Sequence, residues 1–220
     1  MSARTLLACA LGFAAFAFVS PAQAQGLSGA GGVYNVQRRI YYESAVYEQS
    51  GLWYGGAGTL RLGPLNLGLS GLMGNLTSNG GAATADVKVR NTVATLHLAV
   101  GPWIEIGVQG EARRFEGDAG VTLWKLLGGN ARLEPGLGIE GLRGVVDVSM
   151  LPASSVSGGP ELKTAIQASV GASLRPRSFP LTLQLAYRFE RYDIAASGSA
   201  PERYEQFRGV VAEVGLHIGR

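Results

Sequence analysis

A single cysteine, Cys9, serves the whole 220-residue chain, and it lies in an N-terminal segment expected to be cut away. Without it, neither a disulfide framework nor a thiol site is possible. Long apolar runs are also missing. Past residue 24 none reaches the roughly 18 residues that a membrane-spanning helix needs. Charge is sparse and nearly balanced, 19 Lys plus Arg against 16 Asp plus Glu, so no nucleic-acid partner is expected. Histidine occurs only as His97 and His217, and no HExxH, CxxC, GxSxG or Walker pattern is present. No catalytic residue, metal site or cofactor is therefore expected.

What the chain has instead is glycine, 33 residues of it, scattered through apolar stretches. Each glycine weakens a helix interior by about 1 kcal/mol relative to alanine, which argues against a helical bundle. "GLGIEGLRG" and "GGAG" lack the strand-to-helix setting of a phosphate loop; relief of crowding in a curved sheet explains them better. The N-terminus reads as a secretory signal peptide over residues 1–24. Arg4 precedes the apolar or small run Leu6 to Val19, and Pro21 and Ala22-Gln23-Ala24 follow, with cleavage expected before Gln25. "LLAC" is not a lipobox, because Cys9 sits near the start of the apolar run rather than at its close. Residues 25–220 then form one domain, since no linker or change of composition divides them.

Alternation fills that domain. In "LTLQLAYRFERYD" one face carries Leu181, Leu183, Leu185, Tyr187 and Phe189, the other Thr182, Gln184, Ala186, Arg188 and Glu190. This is a β-strand with one apolar and one polar face. Comparable strands hold Leu60 to Leu69, Leu96 to Val108, Ile166 to Leu174 and Val214 to Ile218. Gly63-Pro64, Gly101-Pro102 and "RPRSFP" are tight turns, because proline neither donates to a ladder nor continues a strand. The intervening connections are longer and polar, and Leu76 to Ala85, Leu151 to Glu161 and Ile194 to Arg203 are expected as surface loops. Short turns at one end and long loops at the other describe an up-and-down antiparallel meander. "VYNVQRRIYYESAVYEQSG" alternates poorly and reads either as a first strand or as an amphipathic helical turn. Counting it as strand gives ten strands; merging weak segments gives eight. A phase slip near Gly141 to Gly144 suggests a bulge.

Two architectures accept this pattern: a soluble lipocalin-like barrel with an apolar interior, and a transmembrane barrel with an apolar exterior. The polar face favours the second, being rich in small residues such as Gly107, Ala165, Ser169 and Ser173 rather than Lys and Glu. Aromatic residues near strand ends (Trp53, Tyr54, Trp103, Tyr187, Phe189, Tyr192, Tyr204 and Phe207) read as interfacial girdles. The chain thus resembles small bacterial outer-membrane β-barrel proteins, the OmpA/OmpX-like and opacity-type class. Glu213 to Ile218 matches the final strand of such proteins, although Arg220 stands where an aromatic is expected. The resemblance implies an outer-membrane location, lipid contact and recognition of the last strand by the barrel-insertion machinery.

Inside such a barrel Arg61, Glu105, Glu111, Arg113, Arg188, Glu190 and Glu213 are expected to form a charge network filling the lumen, with Arg132, Glu134, Glu140 and Lys163 as further members. Buried charges persist only when paired. The expected role is accordingly structural or surface-interacting. The alternatives are a narrow channel, a soluble ligand-binding barrel and a lipid-modifying enzyme.

Overall fold

In a computed structural model, the structure describes residues 26–43, 45–79, 85–118, 120–176, 179–197 and 201–218. The proposed signal peptide and Arg220 lie outside them. Ten strands follow in chain order: β1 (Gly26–Tyr41), β2 (Val46–Leu62), β3 (Leu65–Ser78), β4 (Val87–Ala99), β5 (Ile104–Gly117), β6 (Gly120–Leu133), β7 (Leu142–Ser157), β8 (Leu162–Leu174), β9 (Leu181–Ile194) and β10 (Arg203–Ile218). Each pairs antiparallel with its sequence neighbour, and β1 closes on β10 through Leu27↔Ile218 to Tyr41↔Tyr204. The fold is a single up-and-down barrel of ten strands, and the eight-strand count is excluded.

Both chain ends of the barrel, Gly26 and Ile218, lie at one end, termed the near end. The connections β2–β3, β4–β5, β6–β7 and β8–β9 share it. At the first of these, Gly63 has φ 58°, which glycine adopts without the penalty a Cβ would bring. The far end carries the other five connections.

Outward on β9 stand Leu181, Leu183, Leu185 and Tyr187, each 40% exposed or more, while Ala186, Glu190 and Tyr192 are buried inside. Leu96, Leu98, Ile106, Val108, Val170, Val214 and Leu216 continue the exposed apolar surface around the barrel. The soluble-barrel alternative requires the reverse, so the wet side of these strands is the interior.

Higher up every strand the polarity inverts. On β1, Val36 and Ile40 are buried inside while Gln37 and Arg39 point out; on β5, Phe115 is inside between outward Arg114 and Glu116. On β6, Trp124 and Leu126 flank outward Lys125, and on β9 Tyr192 and Ile194 flank outward Asp193. Polar-in, apolar-out suits lipid around the near half; apolar-in, polar-out suits water around the far half. An inversion within one strand explains the poor alternation of the first segment, which is β1 and β2 rather than a helical turn.

Three expectations are corrected. The surface loops are shorter than expected, because the strands continue past the apolar belt. Leu76, Leu151 and Ile194 are buried strand residues, and Ser154 to Ser157 pair with Leu126 to Leu123 on β6. Second, β6 and β7 slip register between Leu127 and Gly129, not at Gly141 to Gly144, where Gly138 and Gly141 make a positive-φ turn instead. Third, Trp53, Tyr192 and Phe207 do not belong to a lipid girdle. They are fully buried inside the barrel.

Candidate functional site: the barrel lumen

The far half of the lumen is filled by rings. Tyr34 meets Trp53 edge-on at 5.6 Å, Trp53 lies 5.9 Å from Phe207, Phe115 4.6 Å from Trp124, and Tyr192 meets Phe207 edge-on at 5.7 Å. Offset and edge-to-face pairs place ring edges against ring faces, which favours them beyond area burial alone. Close approach is needed to seat Trp53: a Cβ on Gly74 would stand 2.4 Å from its Cδ1.

Arg113 sits wholly buried among these rings. Its Nη2 lies 2.8 Å from Glu111 Oε1 and 2.6 Å from Glu190 Oε2. Its guanidinium carbon is 4.8 Å from the Phe207 ring centre and 5.0 Å from that of Tyr192, so π faces take the remainder of the cation. Arg188 Nε pairs with the second oxygen of Glu190 at 2.6 Å, and the Tyr192 hydroxyl donates to Glu190 at 2.9 Å. Above this cluster Arg38 donates to Glu205 Oε2 through Nε at 2.9 Å and to Gln49 Oε1 at 2.9 Å. The two carboxylates beside Arg113 and the one beside Arg38 balance Arg113, Arg188 and Arg38.

A chain of amides links this layer to the near end. Gln167 donates to Glu111 at 2.5 Å, and Gln109 donates to Gln167 at 2.8 Å. Ser149 donates to Gln109 at 2.8 Å, and Asn130 donates to Ser149 at 2.7 Å and to Asp147 at 2.6 Å. His97 bonds the Asn130 side-chain oxygen and has Glu105 3.7 Å from Nδ1. At the near mouth Arg132 donates to Glu134 at 2.9 Å through Nε. Burial alone would raise the Glu134 carboxyl, but Arg132, with Arg175 and Arg143 behind it, holds it below the usual carboxylate range.

Of the seven residues expected in the lumen network, the structure brings Glu111, Arg113, Arg188 and Glu190 into direct contact. Glu105 belongs to a separate group with His97 and Asn66. Arg61 is exposed at the near rim and Glu213 is half-buried, and neither makes an ion pair among the described residues. Lys163 leaves the lumen altogether and pairs with Glu202 at the far rim. Sequence reasoning missed Arg38, Glu205, Gln49, Asn130 and Gln167. Arg38 and Glu205 are 167 residues apart, and only closure of β1 on β10 brings them together. No group of three or more metal-ligating side chains occurs among the described residues.

At the far mouth a cavity of about 310 Å³ opens outward, lined by Arg38, Phe115, Trp124, Ile194, Arg203 and Glu205 among others. No histidine lies there. Both stand toward the near end, among the last three residues of β4 and β10.

No family model and no curated relative matches this sequence. Solved structures do match. The outer-membrane protease OmpT from Escherichia coli superposes at a TM-score of 0.61 with 9% identity, over 88% of this chain and 97% of that one. Neisserial surface protein A gives a TM-score of 0.37 at 11% identity, over 87% and 96% of the two chains. LpxR from Salmonella typhimurium gives 0.38 at 11%, over 86% and 99%. The chain has the fold of bacterial outer-membrane β-barrels. At these identities the likeness concerns the fold alone.

Proposed function

We propose that this chain is an outer-membrane β-barrel whose lumen is closed, serving a structural or surface-interacting role rather than conducting solutes. The observation that carries the reading is the continuous filling of the interior, from the Arg38–Glu205 pair through Arg113 and its carboxylates to Arg132–Glu134. A ten-stranded barrel has an interior only modestly wider than eight strands, whose lumen side chains alone fill. Ion pairs and rings across that width argue against passage of a hydrated solute. The N-terminal 24 residues act as the export signal, and the near end, with its turns and both chain ends, faces the periplasm. Glu213 to Ile218, forming the last part of β10, then offers its edge to the insertion machinery.

An outer-membrane enzyme is among the proteins this fold resembles, OmpT being a protease by its description. Against an enzymatic role, the carboxylate lining the far-mouth cavity is held in ion pairs. The far mouth offers Arg38, Glu205 and Arg203, already engaged with one another, and both histidines lie toward the opposite end. The mouth cavity is therefore better read as a docking recess on a rigid scaffold.

Liposome swelling tests the closed lumen. Vesicles carrying the folded protein should swell in isosmotic arabinose no faster than protein-free vesicles. Rapid swelling would establish a channel. Heat-dependent gel mobility of the same sample shows whether the barrel is folded and inserted.

A further inference from the structure

Directly above the apolar belt the first charged outward residues are mainly cations. Following each strand from the near end, the first charged outward side chain is Arg39 on β1, Arg90 on β4, Arg114 on β5, Lys125 on β6, Arg191 on β9 and Arg208 on β10. On β2 it is Glu48. Leu181 to Arg191, Ile104 to Arg114 and Ile218 to Arg208 each span ten residue steps. At about 3.3 Å per residue and a tilt near 40°, that places the cations about 25 Å above the lowest apolar residues. This is the height of the apolar band of an outer-membrane barrel, so the cations stand at the headgroups of the outer leaflet.

The two sides of this collar differ. Across β9, β10, β1 and β2 the cations have partners: Arg191 with Asp193, Arg39 with Glu48, and Arg208 donating to Gln37. Across β4, β5 and β6 only one of the three cations has such a partner. Arg90 stands directly opposite Arg114, and Lys125 faces Ala112, one outward step from Arg114. Arg114 alone has a carboxylate, Glu116 at 2.7 Å, while Arg90 and Lys125 make no ion pair among the described residues. Like charges directly opposite on one sheet face repel. An anion shared between them removes the repulsion, and guanidinium forks match phosphate oxygens.

We infer that Arg90, Arg114 and Lys125 form a binding site for the phosphate group of an outer-leaflet lipid headgroup. The acyl chains of that lipid lie down the apolar face below, over Ala94, Leu96, Val108 and Leu127. The site rests on the proposed placement in the outer membrane, with the far end outside. The lipid, not a free anion, is the ligand, because the cations border an apolar surface that only an amphiphile covers.

The full-length mature chain, folded in a zwitterionic detergent, is titrated with a diphosphorylated glycolipid, and tryptophan-monitored melting gives the shift. The parent should be stabilised by the glycolipid and not by equal inorganic phosphate or by a dephosphorylated glycolipid. R90Q/R114Q should weaken glycolipid binding at least tenfold, and R90K/R114K should recover part of it. R39Q/R208Q, on the opposite side, should bind as the parent does. Equal binding by R90Q/R114Q and the parent overturns the inference, as does full competition by inorganic phosphate or an equal loss in R39Q/R208Q. Heat-dependent mobility of each sample reads folding separately, so failure of the membrane placement and failure of the lipid site are distinguishable.

Discussion

Replacing Arg113 with leucine is expected to cost about 3–5 kcal/mol of folding stability, the range for removing one member of a buried ion pair. Glu190 keeps Arg188 at 2.6 Å, but Glu111 loses its ion-pair partner among the described residues. It is left without a cation, with Gln167 and the Tyr192 hydroxyl as its remaining neighbours. The aromatic rings of Trp53, Tyr192 and Phe207 lose the cation between them as well. Urea unfolding in lipid vesicles, followed by tryptophan fluorescence, measures the loss. Because the penalty comes from an uncompensated carboxylate, adding Glu111→Gln should recover more than half of it. A loss below about 1 kcal/mol would mean that solvent reaches this layer and screens it.

The second large effect concerns the outer face. Leu185 is 59% exposed at the middle of the apolar stretch of β9. Leu185→Arg places a cation at mid-bilayer and should cost about 2–4 kcal/mol. Thr77→Arg makes the same outward change on β3 but beyond the belt, where it should cost about 0–1 kcal/mol. The comparison depends on depth and not on the chemistry of the new side chain. Equal costs at the two positions would remove the assignment of lipid to the near half and water to the far half. Equilibrium refolding into vesicles gives both numbers.

How far the sequence could be read depended on whether a strand stays within one solvent. Where β9 runs through the belt, from Leu181 to Phe189, alternation has one phase and gives strand, register and lipid face together. Where β1 leaves the belt, the same period of two continues but its polarity changes sign. Val36 and Ile40 turn inward beside outward Gln37 and Arg39, and no fixed rule of apolar-out can follow them. The same inversion explains why Trp53, Tyr192 and Phe207 read as girdle residues, when water outside makes the interior their favourable place. Loop bounds failed for a related reason. Small polar residues such as Ser154 and Ser155 belong to a strand whose outward face meets water, and they carry the composition of a loop.

Within the lumen, charges near each other in sequence were legible. Glu111 and Arg113, like Arg188 and Glu190, sit two residues apart and must share a face, because side chains alternate along a strand. The pairing of the two groups across the barrel, and the link from Arg38 to Glu205, require the closed topology. The amides of Gln109, Asn130 and Gln167 carry no charge to mark them, yet they connect the ion pairs into one column. Arg61 was legible as inward but not as solvated, since its distance from the barrel rim depends on where β2 turns.

Current through a planar bilayer holding the purified, refolded parent chain tests the closed lumen most directly. The account predicts a silent membrane, with no stable open level at either polarity, from protein shown by gel mobility to be folded. A steady conductance of fixed size from that protein would contradict it, because ions would then be crossing the layer that Arg113, Glu111 and Glu190 are proposed to close.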